Sequence, residues 1–458
     1  MSVIRKPWAK PTFVSHRSGT NKFGMARQRH HQAELDGVAI EDLVARWGSP
    51  LFVLSESRLR ENVRRLFRAF RTRYPKVRYG WSYKTNYLNA VCATLHQEGA
   101  WAEVVSEFEY DKARALGVPG SHILFNGPYK PRAALEKAAR EGAAIHLDNL
   151  DEMFLLEDVA RQLGQTVPCA LRLNFDTGFS DPWSRFGFNV ESGAAHDAAR
   201  RIAAAGALKL TGLHSHIGTF VLDPRAYAAQ IRIMGEFMGF AERETGAHIE
   251  YLDIGGGFAS RNALQGVYLP SDQAVPSIEQ YADVITQAMT EVVRGRREWP
   301  WLVLESGRAV VDDAESLVST VVGSKRLPDG RKSLILDAGV NALFTAYWYN
   351  HDCQPTRPVD GIPEETVLYG PLCMNIDVMR ASVWLPPLGM GDRLVFNPVG
   401  AYNNTQWQEF IQYRPAIVMV RESGEVCEVR RRDSLETMLA PERLPADLET
   451  PFPRGLPE

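Results

Sequence analysis

Cysteine is scarce, with five in 458 residues. Cys92, Cys169, Cys353, Cys373 and Cys427 are odd in number and widely scattered, which excludes a dense disulfide framework. They form no CxxC or Cys/His ligand spacing, so no metal site is expected and a reducing, cytoplasmic setting fits best. A surplus of one charge is also lacking. Lys and Arg number 52 against 55 Asp and Glu, a formal net charge of -3, whereas polyanion binders usually carry a basic surplus. No apolar run is long enough to span a bilayer. Neither nucleic acid nor membrane is therefore expected as a partner. Residues 1–33 hold seven Lys/Arg, no Asp/Glu and no apolar core of signal-peptide type. Residues 1–36 are expected to form a flexible basic arm.

What is present is a long alternation of short apolar strands and amphipathic helices. A short helix closed by Gly48 and a buried strand over 50–54 lead into a helix that starts at Ser55, an N-cap residue type. Strands then follow over 77–83, 102–105, 123–125, 144–147, 169–174, 208–216, 251–254 and 301–305, separated by helical segments. This is the pattern of parallel βα units, and the expected fold class is α/β, a (β/α)8 TIM-like barrel. From about residue 316 the helical period fades into strand-like runs split by Pro/Gly turns. The expected domains are a barrel over 37–315, a β-rich domain over 316–440 and a Pro-rich tail over 441–458; the first barrel residues could instead join the β-domain.

Polar residues cluster at strand ends, where barrel active sites are built. Lys84 closes the run Arg78-Tyr79-Gly80-Trp81-Ser82-Tyr83-Lys84. Burial at a strand end predicts a lowered lysine pKa and an amine free to attack an aldehyde. Gly255, Gly256 and Gly257 follow an apolar strand, so bare N–H groups could approach an anion, although such a run reads equally well as a tight turn. His214 and His216 share one strand face without a carboxylate or cysteine nearby in sequence to complete a metal set. Leu304-Glu305-Ser306-Gly307-Arg308 puts a carboxylate and a guanidinium on one turn. Beyond the barrel stand Tyr369-Gly370-Pro371-Leu372-Cys373-Met374-Asn375-Ile376-Asp377 and Gly400-Ala401-Tyr402.

Together these stretches resemble the fold-type III pyridoxal-phosphate decarboxylases of ornithine, diaminopimelate and arginine. Their pattern runs lysine, HIGS, GGG, EPGR, GPxCxxxD and GAY in the order seen here, over roughly residues 50–420. Thr219 replaces the usual serine and keeps its hydroxyl; Ser306 replaces the usual proline and affects only the turn. The resemblance implies pyridoxal 5'-phosphate as cofactor and an amino-acid decarboxylase as activity. It implies that Lys84 forms the Schiff base, His216 stacks on the ring and Glu305 pairs with the pyridine nitrogen. Thr219, Gly255 to Gly257, Arg308 and Tyr402 would hold the phosphate, with Glu103 and Glu109 near the lysine and ring. Cys373 would reach across a homodimer interface to protonate the product, giving shared active sites.

The substrate is less determined. Diaminopimelate enzymes of the family place an arginine-proline pair where this chain has Thr345-Ala346, and ornithine enzymes place an aspartate where it has Met374. The expected substrate contacts are Asp377 and a set of neutral residues, Thr345, Tyr347, Trp348, Tyr349, Met374 and Asn375 with the 403–407 segment, that suits a conjugated or carrier-linked amino acid. Arg185 and Arg380 are the arginines that could serve an acidic substrate instead. The alternatives are a diaminopimelate decarboxylase with an atypical pocket and a non-catalytic relative that regulates a partner.

Overall fold

A computed structural model describes residues 31–266 and 271–448. The expected basic arm falls largely, and the second half of the expected tail wholly, outside the described residues. Eight parallel strands form a closed barrel: Val77–Ser82, Trp101–Val104, Ile123–Phe125, Ala144–Leu147, Val167–Asn174, Leu208–His214, Tyr251–Asp253 and Trp301–Leu304. Closure is by Trp301–Leu304 pairing back onto the first strand, with Leu302 opposite Val77 and Leu304 opposite Tyr79.

Alternation along the first barrel strand explains how the wall packs. Val77, Tyr79 and Trp81 join the core shared with the outer helices, while Arg78 points inward, its guanidinium 4.6 Å from the Trp101 ring and 4.2 Å from the Trp301 ring. Above it the barrel interior is filled by Leu124, Ala170, Tyr251 and Val303. Two glycines make room for the larger members. A Cβ on Gly80 would lie 2.7 Å from Leu124 Cδ1, and one on Gly212 would lie 2.1 Å from the Tyr251 ring.

The helices take their positions from ordinary local signals. Glu56–Arg71 begins where the Ser55 hydroxyl accepts the Arg58 N–H, and it buries Leu59, Val63, Leu66, Phe67 and Phe70 on one face. Each such burial contributes about 1.5–3 kcal/mol, and Phe70→Ala, at a fully buried site, would cost roughly 3–5 kcal/mol. Among the described residues no helix is long and apolar enough to cross a membrane.

The second sheet runs Val378–Leu385, Glu364–Tyr369, Lys332–Leu336, Glu315–Arg326, Leu51–Ser55, Ala416–Val420 and Val426–Arg430, with Asp352–Pro355 and Arg393–Asn397 paired alongside. Leu51–Ser55, read from the sequence as the opening strand of the βα series, lies in this sheet. It pairs antiparallel with Glu315–Arg326 and parallel with Ala416–Val420. Its first four residues are all buried, a pattern that fits the centre of either sheet. From Leu51 the chain thus passes from the β-rich layer into the barrel and returns at Glu315.

Candidate active site

The strand Val77–Ser82 ends in a single turn, Tyr83–Thr85, that lifts Lys84 above the barrel mouth. The Lys84 ammonium donates to both carboxylate oxygens of Glu103, at 2.9 and 2.7 Å, and Glu103 is fully buried. This reverses the expectation of a lowered lysine pKa. Burial does oppose the charge, but Glu103, followed by Glu305 and Tyr402, outweighs it and raises the amine above its ordinary value. The Lys84 side chain is 40% exposed, and the buried countercharge from the neighbouring strand decides the sign.

Asn126, just past the end of Ile123–Phe125, joins two of the acids. Its amide nitrogen donates to Glu103 Oε1 at 3.0 Å and to Glu305 Oε1 at 2.6 Å. The other oxygen of Glu305 faces His214 Nε2 at 3.5 Å. His146, His214 and Glu305 place donor atoms within 4.8 Å of one another, a grouping that sequence spacing did not reveal. His146 also contacts the Tyr251 hydroxyl at 3.0 Å. Burial pushes both histidines well below their usual pKa, so they are neutral. Burial together with the nearby Glu305 raises the carboxyl of Asp253 well above the usual range.

His216 is half-buried, and its Nδ1 accepts the Gly256 N–H at 3.1 Å. That bond leaves the proton of the neutral ring on Nε2. Burial, then the charges of Arg172 and Lys84, hold its pKa at about 3. Trp183 meets the ring edge-on at 5.3 Å between centroids.

Three loops meet around the glycine run so closely that side chains are excluded. A Cβ on Gly255 would lie 2.6 Å from His216 Nδ1, on Gly256 2.6 Å from the Glu305 carbonyl oxygen, and on Gly257 2.3 Å from the Gly218 carbonyl oxygen. Gly257 also has φ +95°, so the run is both a turn and a close approach. Beside it Arg308 is buried, and its Nη1 has no hydrogen-bond partner. The Arg308 guanidinium lies 4.8 Å from the Tyr402 ring and 5.0 Å from the Tyr349 ring. Tyr402 is held at φ +68°, a conformation uncommon outside glycine that concentrates at functional sites.

These groups line one cavity of about 380 Å³ that holds Lys84, Glu103, Asn126, Arg172, His216, Thr219, Gly256, Gly257, Glu305, Arg308 and Tyr402. One part of its wall offers an amine beside carboxylates; another offers an unsatisfied guanidinium beside bare backbone. An orphaned buried donor next to a glycine-lined loop is the signature of a missing anion, and the set fits a phosphate-bearing aldehyde with a basic ring nitrogen.

The second-domain residues are placed differently. Cys373 and Asn375 are exposed and Met374 is half-exposed, and none of the three lines this cavity. Thr345, expected against the substrate, is buried with its hydroxyl on His351 Nε2 at 2.8 Å and Asn403 Oδ1 at 2.9 Å. Asp377 is likewise buried and accepts the N–H groups of Val340 and Leu372, at 2.8 and 2.7 Å. Both serve the second domain's own turns. Tyr349 sits on the Arg308 side. Glu109 is buried and caps the Val105 N–H at 2.8 Å, away from the cavity wall. Arg380 Nη1 donates to the His351 carbonyl, and Arg185 lies over the Phe186 ring at 5.0 Å.

Arg172, Asn126 and His214 line the cavity without having been assigned site roles from sequence. Arg172 is buried and paired to Asp148 Oδ1 at 3.2 Å. Each stands in or just past the last residues of a barrel strand, so the strand-end rule applied to every strand would have found all three.

Comparison with known proteins agrees with this geometry. Residues 60–312 match the family described as pyridoxal-dependent decarboxylase, pyridoxal binding domain. The chain is 30% identical over 434 residues to the diaminopimelate decarboxylase of Methanothermobacter thermautotrophicus, covering 90% of this chain and 96% of that one. It superposes on the diaminopimelate decarboxylase of M. jannaschii in complex with L-lysine with a TM-score of 0.83 at 27% identity, covering 91% and 96% of the two chains. The lysine/ornithine decarboxylase of Vibrio vulnificus complexed with cadaverine superposes with a TM-score of 0.70 at 25% identity, covering 83% and 97%. With the barrel, the strand-end lysine and the anion cradle in place, the chain belongs to the pyridoxal-dependent decarboxylases and is an amino-acid carboxy-lyase that uses pyridoxal phosphate.

Proposed function

We propose that the enzyme decarboxylates an amino acid whose distal group is neutral, through an amide, ester or carrier linkage, and that it works as a homodimer with shared sites. The observation that carries the substrate reading is where charge is lacking. Apart from Arg308, the cavity's cations are already paired, Lys84 with Glu103 and Arg172 with Asp148, and beyond these and Glu305 the rest of the lining is uncharged, with Val105, Pro128, Trp183 and Phe186 beside neutral polar groups such as Asn126 and Thr219. Met374 and Asn375 add no charge on the loop expected to close the site from a second copy of the chain. Burying an unpaired distal ammonium or carboxylate against such a wall costs several kcal/mol, on the order of the penalty for any unmatched buried charge.

In this reading Lys84 would take the cofactor's aldehyde, and Arg308, Thr219, Tyr402 and the glycine run Gly255 to Gly257, through the Gly257 N–H, would hold its phosphate, the Gly255 and Gly256 N–H groups being already bonded to Asp253 and His216. Bound pyridoxal phosphate supplies an electron sink for the pair left on the α-carbon when the bond to the carboxylate breaks. Glu305, fixed by Asn126, keeps a proton on the ring nitrogen. His216, neutral, would lie against the ring without adding positive charge. Glu103, hydrogen-bonded to the Lys84 ammonium, is the group placed to accept its proton and so free the amine for the aldehyde. The Cys373 thiol of the second copy then delivers a proton to the α-carbon.

A second reading, diaminopimelate decarboxylase with an atypical pocket, is favoured by the names of the relatives. Specificity constants for carbon dioxide release decide between them. Free diaminopimelate, lysine and ornithine should be poor substrates beside an amide- or ester-conjugated amino acid. Diaminopimelate turned over as well as any conjugate would establish the second reading.

A further inference from the structure

The strand-end lysine and the phosphate-side tyrosine come from different layers, and one buried acid sits where they meet. Thr405 Oγ1 donates to the Lys84 carbonyl at 2.8 Å, the Tyr402 N–H donates to the Thr85 carbonyl at 2.8 Å, and Asn86 Nδ2 donates to the Gly400 carbonyl at 3.0 Å. Glu315, at the first residue of the strand that returns to the second sheet, is 1% exposed. Its Oε1 and Oε2 accept Asn404 Nδ2 at 2.7 and 2.9 Å, and its Oε2 accepts Asn86 Nδ2 at 3.2 Å. The same acid therefore receives one amide from the lysine turn and one from the Tyr402 loop.

We propose that Glu315 is a positioning residue for the cofactor, locking the Lys84 turn to the Tyr402 loop through Asn86 and Asn404 so that the two stay in fixed register. A carboxyl buried this deeply is costly. Burial pushes it up to about 8 against the opposing pull of both asparagines, with the charge of Asp312 adding to the rise. A core residue with no task beyond packing carries no such cost, whereas a fork that takes amides from two loops gives a geometry no apolar side chain can reproduce. Tyr402 has the most to lose from slack, because it sits at positive φ and its N–H is bound to the lysine turn itself.

The inference rests on Lys84 and Tyr402 serving the two ends of the cofactor as proposed above. The full-length protein, stripped and titrated back with pyridoxal phosphate, tests it through the dissociation constant, with the melting temperature of the cofactor-free form measured in parallel. Glu315→Ala and Asn404→Ala should each weaken cofactor binding about 10-fold, the scale of one lost hydrogen bond. Their double variant should be no weaker than the worse single, because both break one link. Glu315→Gln, which keeps a carbonyl acceptor, should recover part of the loss. If Glu315→Ala does not fold, Asn404→Ala and Glu315→Gln carry the same measurement. Wild-type affinity in the folded variants, with only the melting temperature lowered, overturns the proposal, and so do losses that multiply in the double variant. Arg308→Ala is the control for the site itself: unchanged affinity there would refute the cofactor assignment, whereas a loss there and none at Glu315 or Asn404 refutes the clamp alone.

Discussion

Single side chains at the barrel mouth make separable contributions. Lys84→Ala should abolish turnover, because its loss removes the nucleophile, and should lower the melting temperature as well, because fully buried Glu103 loses its ion partner. Activity retained in that variant would refute the assignment. Arg308→Ala should weaken cofactor affinity by about 2–3 kcal/mol, roughly 30- to 150-fold, as read by titration with pyridoxal phosphate. Glu109 allows a pH test. Burial first, then the charge of Glu103, raises its carboxyl to about 7 against the pull of Lys84 and the Val105 N–H. A raised acid stabilises the fold fully below its unfolded value near 4.5, and that stability is lost as pH climbs through 7. Relative to wild type, cofactor-free Glu109→Gln should therefore gain in melting temperature between pH 5 and pH 8. A constant difference across that range would mean Glu109 is already ionised at pH 5.

At the level of elements, the site is three barrel loops packed against one another. Gly257→Ala forces a Cβ to 2.3 Å from the Gly218 carbonyl at φ +95°, so the glycine loop must separate from the His216 loop. The strain is on the order of 1–3 kcal/mol, and it should appear as weaker cofactor binding, because both loops line the cavity. Gly246→Ala is the contrast. It is a helix C-cap with nothing within 4 Å of the added Cβ, so its cost of about 1 kcal/mol falls on folding alone. Equal effects of the two on cofactor affinity would refute the packing account. The GGG motif thus owes its composition as much to neighbouring loops as to the anion it faces.

At the level of the molecule, one chain carries the cavity while its GPxC loop faces outward, with Cys373 exposed. Mixing Lys84→Ala protein, which does not turn over, with Cys373→Ala protein, which does not deliver the proton to the right carbon, should restore part of the formation of the correctly protonated amine, because a heterodimer of the two has one site with both residues intact. No recovery after verified subunit exchange would place the proton donor within the same chain. Cys373→Ala alone should still release carbon dioxide but protonate its product slowly or at the wrong carbon, seen as aldehyde among the products.

The class of fold was legible in the sequence, and so were nine of the twenty residues around the cavity. Period-two and helical patterns are local, so the eight barrel strands from 77 to 304 were legible, as were the residues at their ends, Lys84, His216, Gly255 to Gly257, Glu305 and Arg308. Tertiary structure alone decided three matters. Leu51–Ser55 belongs to the second sheet because an all-apolar strand records its burial and not its partners. Lys84 is more basic than an ordinary lysine and not less, because Glu103, 19 residues away along the chain, meets it at the barrel mouth. Thr345 and Asp377 turn into the second domain, while Asn86, Glu315 and Asn404 converge from three distant stretches. Countercharges and hydrogen-bond partners are set by distance in space, which a local pattern does not encode.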